Sequence, residues 1–156
     1  MRLKPLYSVR FRYPQAWAVE IKGPGGVEEQ NFLFAEGVCS GRLSGRFRGA
    51  NHPRRRTDHT FEMDFQGFIE TEDGATIIFD YKGYGRSYPE GRRQVVGAAK
   101  HVSDHESYSW LNDSICVMAG EVRSPDKPPG EIRQGDRELV FDVSELVWEP
   151  PQDRSC

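Results

Sequence analysis

Residues 60–81 read TFEMDFQGFIETEDGATIIFDY, and the fold turns on how this stretch pairs with itself. Thr60 to Thr71 and Ala75 to Tyr81 are strand-length runs on either side of Glu72-Asp73-Gly74. The Asp-Gly pair tolerates positive φ in a tight turn, so the two runs form a β-hairpin. On the first run Phe61, Met63 and Phe65 share one face, and Glu62, Asp64, Gln66 and Phe68 share the other. On the second run Ile77, Phe79 and Tyr81 alternate with Ile78, Asp80 and Lys82, so apolar groups occur on both faces. Two-sided burial is expected of a barrel wall that something covers from outside. The mixed face, with Glu62 and Asp64, is then expected to look into the cavity.

The same alternation extends in both directions. Tyr7, Val9, Phe11 and Tyr13 alternate with Ser8, Arg10 and Arg12 until Pro14. Ala16 to Lys22 reads as a second strand running into the breaker Gly23-Pro24-Gly25-Gly26, and Asn31 to Val38 as a third. Gly41, Gly45 and Gly49 mark a segment suited to bending. Residues 83–107 read as a long connection with a short helix near Gln94 to Lys100. A strand from about Trp110 to Val122, a loop from Ser124 to Gly135 and a closing strand from Glu138 to Trp148 complete the chain. About eight strands with almost no helix predict an all-β, small antiparallel barrel, because closure removes exposed edges. Residues 1–148 form one domain on this reading, and 149–156 a flexible tail. An eight-stranded interior holds side chains or one small ligand.

Composition narrows the partners. The chain has 24 acids and 21 bases, a formal net charge of -3, which offers no global attraction to nucleic acid or an anionic membrane. The run Arg54-Arg55-Arg56 is isolated and reads as a solvated loop. No apolar run approaches the roughly 20 residues of a membrane span, and no signal peptide is visible at Met1-Arg2-Leu3-Lys4-Pro5. Cys39, Cys116 and Cys156 lack paired spacing, so neither disulfides nor a metal site is expected and the reading is cytoplasmic. His101 and His105 are four apart but lack the glutamate of the zinc-protease pattern.

A carboxylate aimed into a barrel is desolvated, which raises its pKa towards the range useful for proton transfer. Asp64 is therefore the expected base, with Tyr81 or Tyr84 as acid or oxyanion partner and His105 assisting. Tyr88 belongs to the same tyrosine cluster and reads as rim packing. Glu62, Gln66, Phe68, Tyr108, Trp110 and Asn112 are the expected substrate contacts, although Asn112 reads equally as a loop cap. No redox or nucleotide cofactor and no metal is called for. The expected function is a cofactor-independent lyase, isomerase, dehydratase or cyclase acting on a small hydrophobic or aromatic molecule. The alternative is a barrel that binds such a molecule without chemistry. A homodimer through Phe61, Met63 and Phe65 is compatible with either.

Several short motifs occur in a consistent order: Leu3 to Leu6, Gly41-Arg42-Leu43-Ser44-Gly45, Asp64 seven residues before Thr71-Glu72-Asp73-Gly74-Ala75, Gly83, and Tyr108-Ser109-Trp110-Leu111-Asn112. Together they resemble an uncharacterised, mostly bacterial family known as domain of unknown function 3237. The resemblance covers roughly Met1 to Val122 plus the last strand and implies a barrel of the lipocalin or allene oxide cyclase type. The chain departs from the family's pattern at Gln66, where an Arg is common, and at Gly67, where an aromatic is common. The first departure removes an Asp-Arg pair and leaves Asp64 freer to titrate.

Overall fold

A computed structural model describes residues 1–87 and 93–151. Nine antiparallel strands follow in order: β1 (Arg2–Gly23), β2 (Gly26–Gly41), β3 (Gly45–Asn51), β4 (Arg54–Arg55), β5 (Phe61–Thr71), β6 (Thr76–Arg86), β7 (Arg93–Val102), β8 (Cys116–Arg123) and β9 (Glu138–Val147). Leaving aside the two-residue β4, each strand pairs with its neighbour in sequence, and β1 pairs with both β2 and β9, closing an eight-stranded barrel. The short β4 bridges β2 and β5 at one end. Among the described residues no helix is long and apolar enough to cross a membrane.

The expected hairpin is β5–β6, with Gly74 at φ 85° in the turn and the Thr71 N–H donating to Ala75 O at 3.0 Å. Its faces are the reverse of what the mixed pattern suggested. Met63, Phe65, Ile69, Ile77, Phe79 and Tyr81 point inward and are buried, whereas Asp64 lies in solvent. Phe47 and Phe79 stack at 4.7 Å, and Phe65, Phe11 and Phe141 pack around them. This aromatic plug fills the middle of the barrel. Attraction between stacked rings adds to the area they remove from water.

Two expectations fail in the second half of the chain. Gln94 to Lys100 is part of the strand β7, not a helix. Ala98, Ala99 and Lys100 favour a helix locally, yet Gly97 does not, and it lies opposite Gly83 of β6. A Cβ on Gly83 would sit 2.1 Å from Val96 O, so the small residues serve close strand approach instead. The strand expected from Trp110 begins only at Cys116, because Glu106–Leu111 form a 3₁₀ turn. The long connection expected over 83–107 is correspondingly split by β6, β7 and this turn.

Pro14 cannot donate to the ladder, and the β1–β2 register shifts between Arg12 and Gln15. The strand does not end there. β1 and β2 continue as a two-stranded arm closed by Gly23-Pro24-Gly25-Gly26, with Gly26 at φ 124°. β9 accompanies β1 only as far as Phe11, and β3 accompanies β2 only from Leu33. The outer face of the arm therefore stays uncovered. Trp17, Val19, Ile21, Phe32 and Phe34 lie on it, each between 42% and 62% exposed. Trp17 and Phe34 meet edge to face at 5.8 Å.

Candidate functional site at the barrel mouth

The two ends of the barrel differ. At one end the turn Glu106–Leu111 lies beside the barrel with Leu111 fully buried. At the other, above the aromatic plug, a cavity of about 230 Å³ opens to solvent. Leu33, Met63, Val95, Leu139 and Phe141 supply its apolar wall. All five are inward residues, one each from β2, β5 and β7 and two, Leu139 and Phe141, from β9, as the period of two dictates.

The polar groups of this mouth come from the points where strands leave the barrel. Tyr13, the last inward residue before the Pro14 bulge, is buried and accepts a hydrogen bond from Asn51 Nδ2 at 2.9 Å. Asn51 is held in turn by the Asp64 N–H, which donates to its Oδ1 at 3.3 Å. Burial pushes the Tyr13 hydroxyl well above the ordinary phenol range, and the Asn51 bond offsets this only in part. Tyr13 is thus a neutral O–H at any physiological pH. With Asn51 occupying one lone pair, its proton is free to serve another acceptor. Glu29, on the base of the arm, accepts from Asn31 Nδ2 at 2.8 Å, and both residues line the mouth.

Three guanidinium groups complete the rim: Arg55, Arg93 and Arg137. Arg55 is the middle of the basic run, whose first two residues form the strand β4 where a solvated loop was expected. Arg54 and Arg56 bind Glu62 at 2.7 and 3.1 Å on the outside, while Arg55 lines the cavity. Arg93 lies over the Phe61 ring, 5.0 Å from its centre. Its guanidinium is held below the ordinary range by burial, then by the like charges of Arg137 and Arg55, with Glu29 acting the other way.

None of the expected site residues lines this mouth. Asp64 faces outward and is half exposed, paired with Lys82 Nζ at 2.5 Å. Glu62 is locked against Arg54 and Arg56 on the outer surface. The expectation that these two acids face the cavity is overturned, because the opposite face of β5 carries the larger apolar groups and takes the interior. Tyr84 joins Glu62, Asp64 and His52 in an open cleft outside the barrel, and Arg56 lies over its ring at 5.9 Å. Gln66 is exposed, and Phe68 points outward beneath Arg48.

The other expected residues lie on the far side of the plug. Tyr81 is fully buried below the mouth and hydrogen-bonds to Tyr7, whose hydroxyl also meets His101 Nε2 at 2.7 Å. His105 caps the 3₁₀ turn, with Nδ1 accepting from the Ser107 N–H at 3.2 Å. Tyr108 donates to Asp73 at 2.9 Å, and Arg42 stacks over Trp110 at 4.3 Å. Asn112 holds Ser103 through both its amide atoms, which is the capping role. Phe61, Met63 and Phe65 cannot form a subunit face, since Met63 and Phe65 are buried and Phe61 lines the mouth. Tyr88 lies outside the described residues. Among the described residues no three His, Cys, Asp or Glu side chains gather as metal ligands would.

A family model described as protein of unknown function, DUF3237, matches residues 1–145. Several solved structures share the fold. A beta-barrel like protein from Acinetobacter baumannii is 21% identical over 94% of this chain and 96% of its own, with a TM-score of 0.73. A protein of unknown function from Clostridium acetobutylicum is 15% identical over 94% and 100%, also at 0.73. A protein described as an enzyme, from Penicillium herquei, is 19% identical over 91% and 93%, with a TM-score of 0.59. No curated protein matches the chain.

Proposed function

Since the chain belongs to the DUF3237 family and shares its fold with barrel-like proteins, we propose that it works as a cofactor-independent acid–base catalyst at the barrel mouth. Its substrate is one small hydrophobic or aromatic molecule. The observation that carries this reading is the mouth cavity of about 230 Å³, apolar below and polar at the rim, with Tyr13 and Glu29 on its lining. Ligand sites typically combine such a wall with a few convergent polar groups. An apolar cavity of about 150 Å³ holds a benzene, so this space suits a body of one or two rings. Glu29 takes the role of base, and Tyr13 donates to the oxygen on which charge develops. This replaces Asp64 and Tyr81, whose positions keep them away from any such ligand. The description of the Penicillium herquei relative as an enzyme is in keeping with chemistry on this fold.

2-Naphthol in D₂O provides the test, because proton transfer at its hydroxyl activates deuterium exchange at the neighbouring ring carbon. The wild-type chain is expected to accelerate that exchange, read by NMR. Glu29→Gln slows it by about 10²-fold with little change in affinity. Val122→Trp, which plugs the mouth, removes binding and exchange together. Saturable binding without accelerated exchange instead selects the second reading, a container without chemistry. The Asn31 bond that occupies part of the Glu29 carboxylate favours that reading.

We also propose that the chain forms a homodimer, through the outer face of the arm and not through β5. Trp17, Val19, Ile21, Phe32 and Phe34 are each about half exposed on one side of the ribbon. They offer roughly 500 Å² of apolar contact, well over half of the about 800 Å² per partner in a standard interface. A second copy is the fitting occupant, because two ribbons related by a two-fold axis present the same stripe to each other.

A further inference from the structure

We infer that the ligand of the mouth is an organic anion, a small apolar or aromatic body carrying a carboxylate that Arg55 and Arg93 recognise. The inference rests on the mouth being the ligand site and goes on to name the chemical class that enters it. The lining holds Arg55, Arg93 and Arg137 against the single acid Glu29. The chain as a whole carries a net charge of -3, so this concentration of positive charge is local. A concave, low-dielectric wall focuses such a field on whatever enters.

The surrounding surface shows what arginines of this chain do when a protein carboxylate is at hand. Arg54 meets Glu62, Arg56 meets Asp58 and Glu62, Arg42 meets Glu145, and Arg123 meets Glu121. Among the described residues Arg55 and Arg93 make no ion pair. Arg93 instead lies over the Phe61 ring at 5.0 Å, a cation–π contact that uses up none of its N–H donors. Burial and the like charge of Arg55 act against the Arg93 cation, and Glu29 supports it only in part.

Guanidinium forks match carboxylates two bonds at a time, whereas an ammonium offers a point charge. The groups are also layered in the right order. The arginines lie at the rim, and Leu33, Met63, Val95, Leu139 and Phe141 lie beneath them. A carboxylate on a ring system fits with its head among the guanidiniums and its body on the aromatic plug. Tyr13 is then placed to meet a second oxygen on the body.

Calorimetric titration of the full chain with 2-naphthoate and its neutral analogue 2-naphthalenemethanol tests the inference. The expected result is at least tenfold tighter binding of the carboxylate at low salt, with the preference shrinking as salt rises. Arg55→Gln and Arg93→Gln each weaken 2-naphthoate about tenfold and leave the alcohol unchanged, while Arg93→Lys recovers only part of the loss. Circular dichroism checks that these rim variants stay folded. Equal affinity for both probes, with both lost in Val122→Trp, overturns the anion inference and leaves the mouth as the ligand site. Failure of both probes to bind, or binding untouched by Val122→Trp, overturns the inference together with the mouth reading.

Discussion

Gly67 of β5 pairs with Gly49 on one side and with Phe79 on the other. A Cβ at this position would stand 2.2 Å from Arg48 O and 2.5 Å from Phe79 Cζ. The Phe79 ring lies over the glycine, so the volume of a side chain is supplied from the opposite strand. The interior at this position is thereby filled by a ring that reaches in from β6. Gly67→Ala must push a backbone oxygen and a stacked ring apart, which costs about 1–3 kcal/mol or more in overpacking. Urea unfolding of this variant is expected to show that loss. A cost under about 0.5 kcal/mol would mean that the wall yields freely there. Asp64 teaches a related lesson. As a half-exposed partner of Lys82 it is an ordinary surface ion pair, and such pairs contribute little to stability.

The arm is the element that sets this barrel apart from a plain closed wall. Its inner side brings Glu29, Asn31 and Leu33 to the mouth, and its outer side carries the uncovered apolar stripe. One β-ribbon thus builds a wall of the ligand site and presents the surface proposed for pairing. Sedimentation velocity over a concentration series is expected to show a dimer. Trp17→Ser with Phe34→Ser should convert it to a monomer while the circular dichroism spectrum is kept. A wild-type chain that stays monomeric at high concentration refutes the arm as an interface. Because the stripe and the mouth lie on opposite faces of the ribbon, the double variant is expected to retain ligand binding.

Across the whole molecule, pH acts on stability through the lower interior. His101 is buried against Tyr7, with Tyr81, Cys39 and Cys116 nearby, and burial lowers its pKa from 6.5 to about 4. The folded chain therefore keeps His101 neutral at a pH where the unfolded chain binds a proton. Stability from this group is complete above about 6.5 and falls as pH drops towards 4, by up to about 3 kcal/mol. The acids with lowered pKa act below this window. Asp58 is held down by the Arg56 guanidinium, Asp73 by the Thr71 hydroxyl and Asp136 by the Arg133 N–H. Chemical denaturation at pH 7, 5.5 and 4.5 is expected to show the decline in the wild type. His101→Gln should flatten that part of the curve, and an unchanged slope would remove His101 as its cause.

Local pattern alone determined the antiparallel barrel, the β5–β6 hairpin and its Asp-Gly turn, because period-two hydrophobicity and turn chemistry are properties of neighbours along the chain. The same pattern left the facing of β5 ambiguous, since Ile78 and Phe68 put apolar groups on the outer side as well. Only closure of the barrel decided that Phe65 and Phe79 face inward and that Asp64 faces water. The mouth was illegible for the same reason. Tyr13, Glu29, Asn51, Arg55, Arg93 and Arg137 are scattered over the chain and meet only through strand register. One signal did exist, in the alternation of Arg54, Arg55 and Arg56, where a strand must send the middle residue the other way. That Arg55 finds a cavity there, and not solvent, depends on the β2–β4–β5 bridge, which is a long-range contact no local pattern encodes.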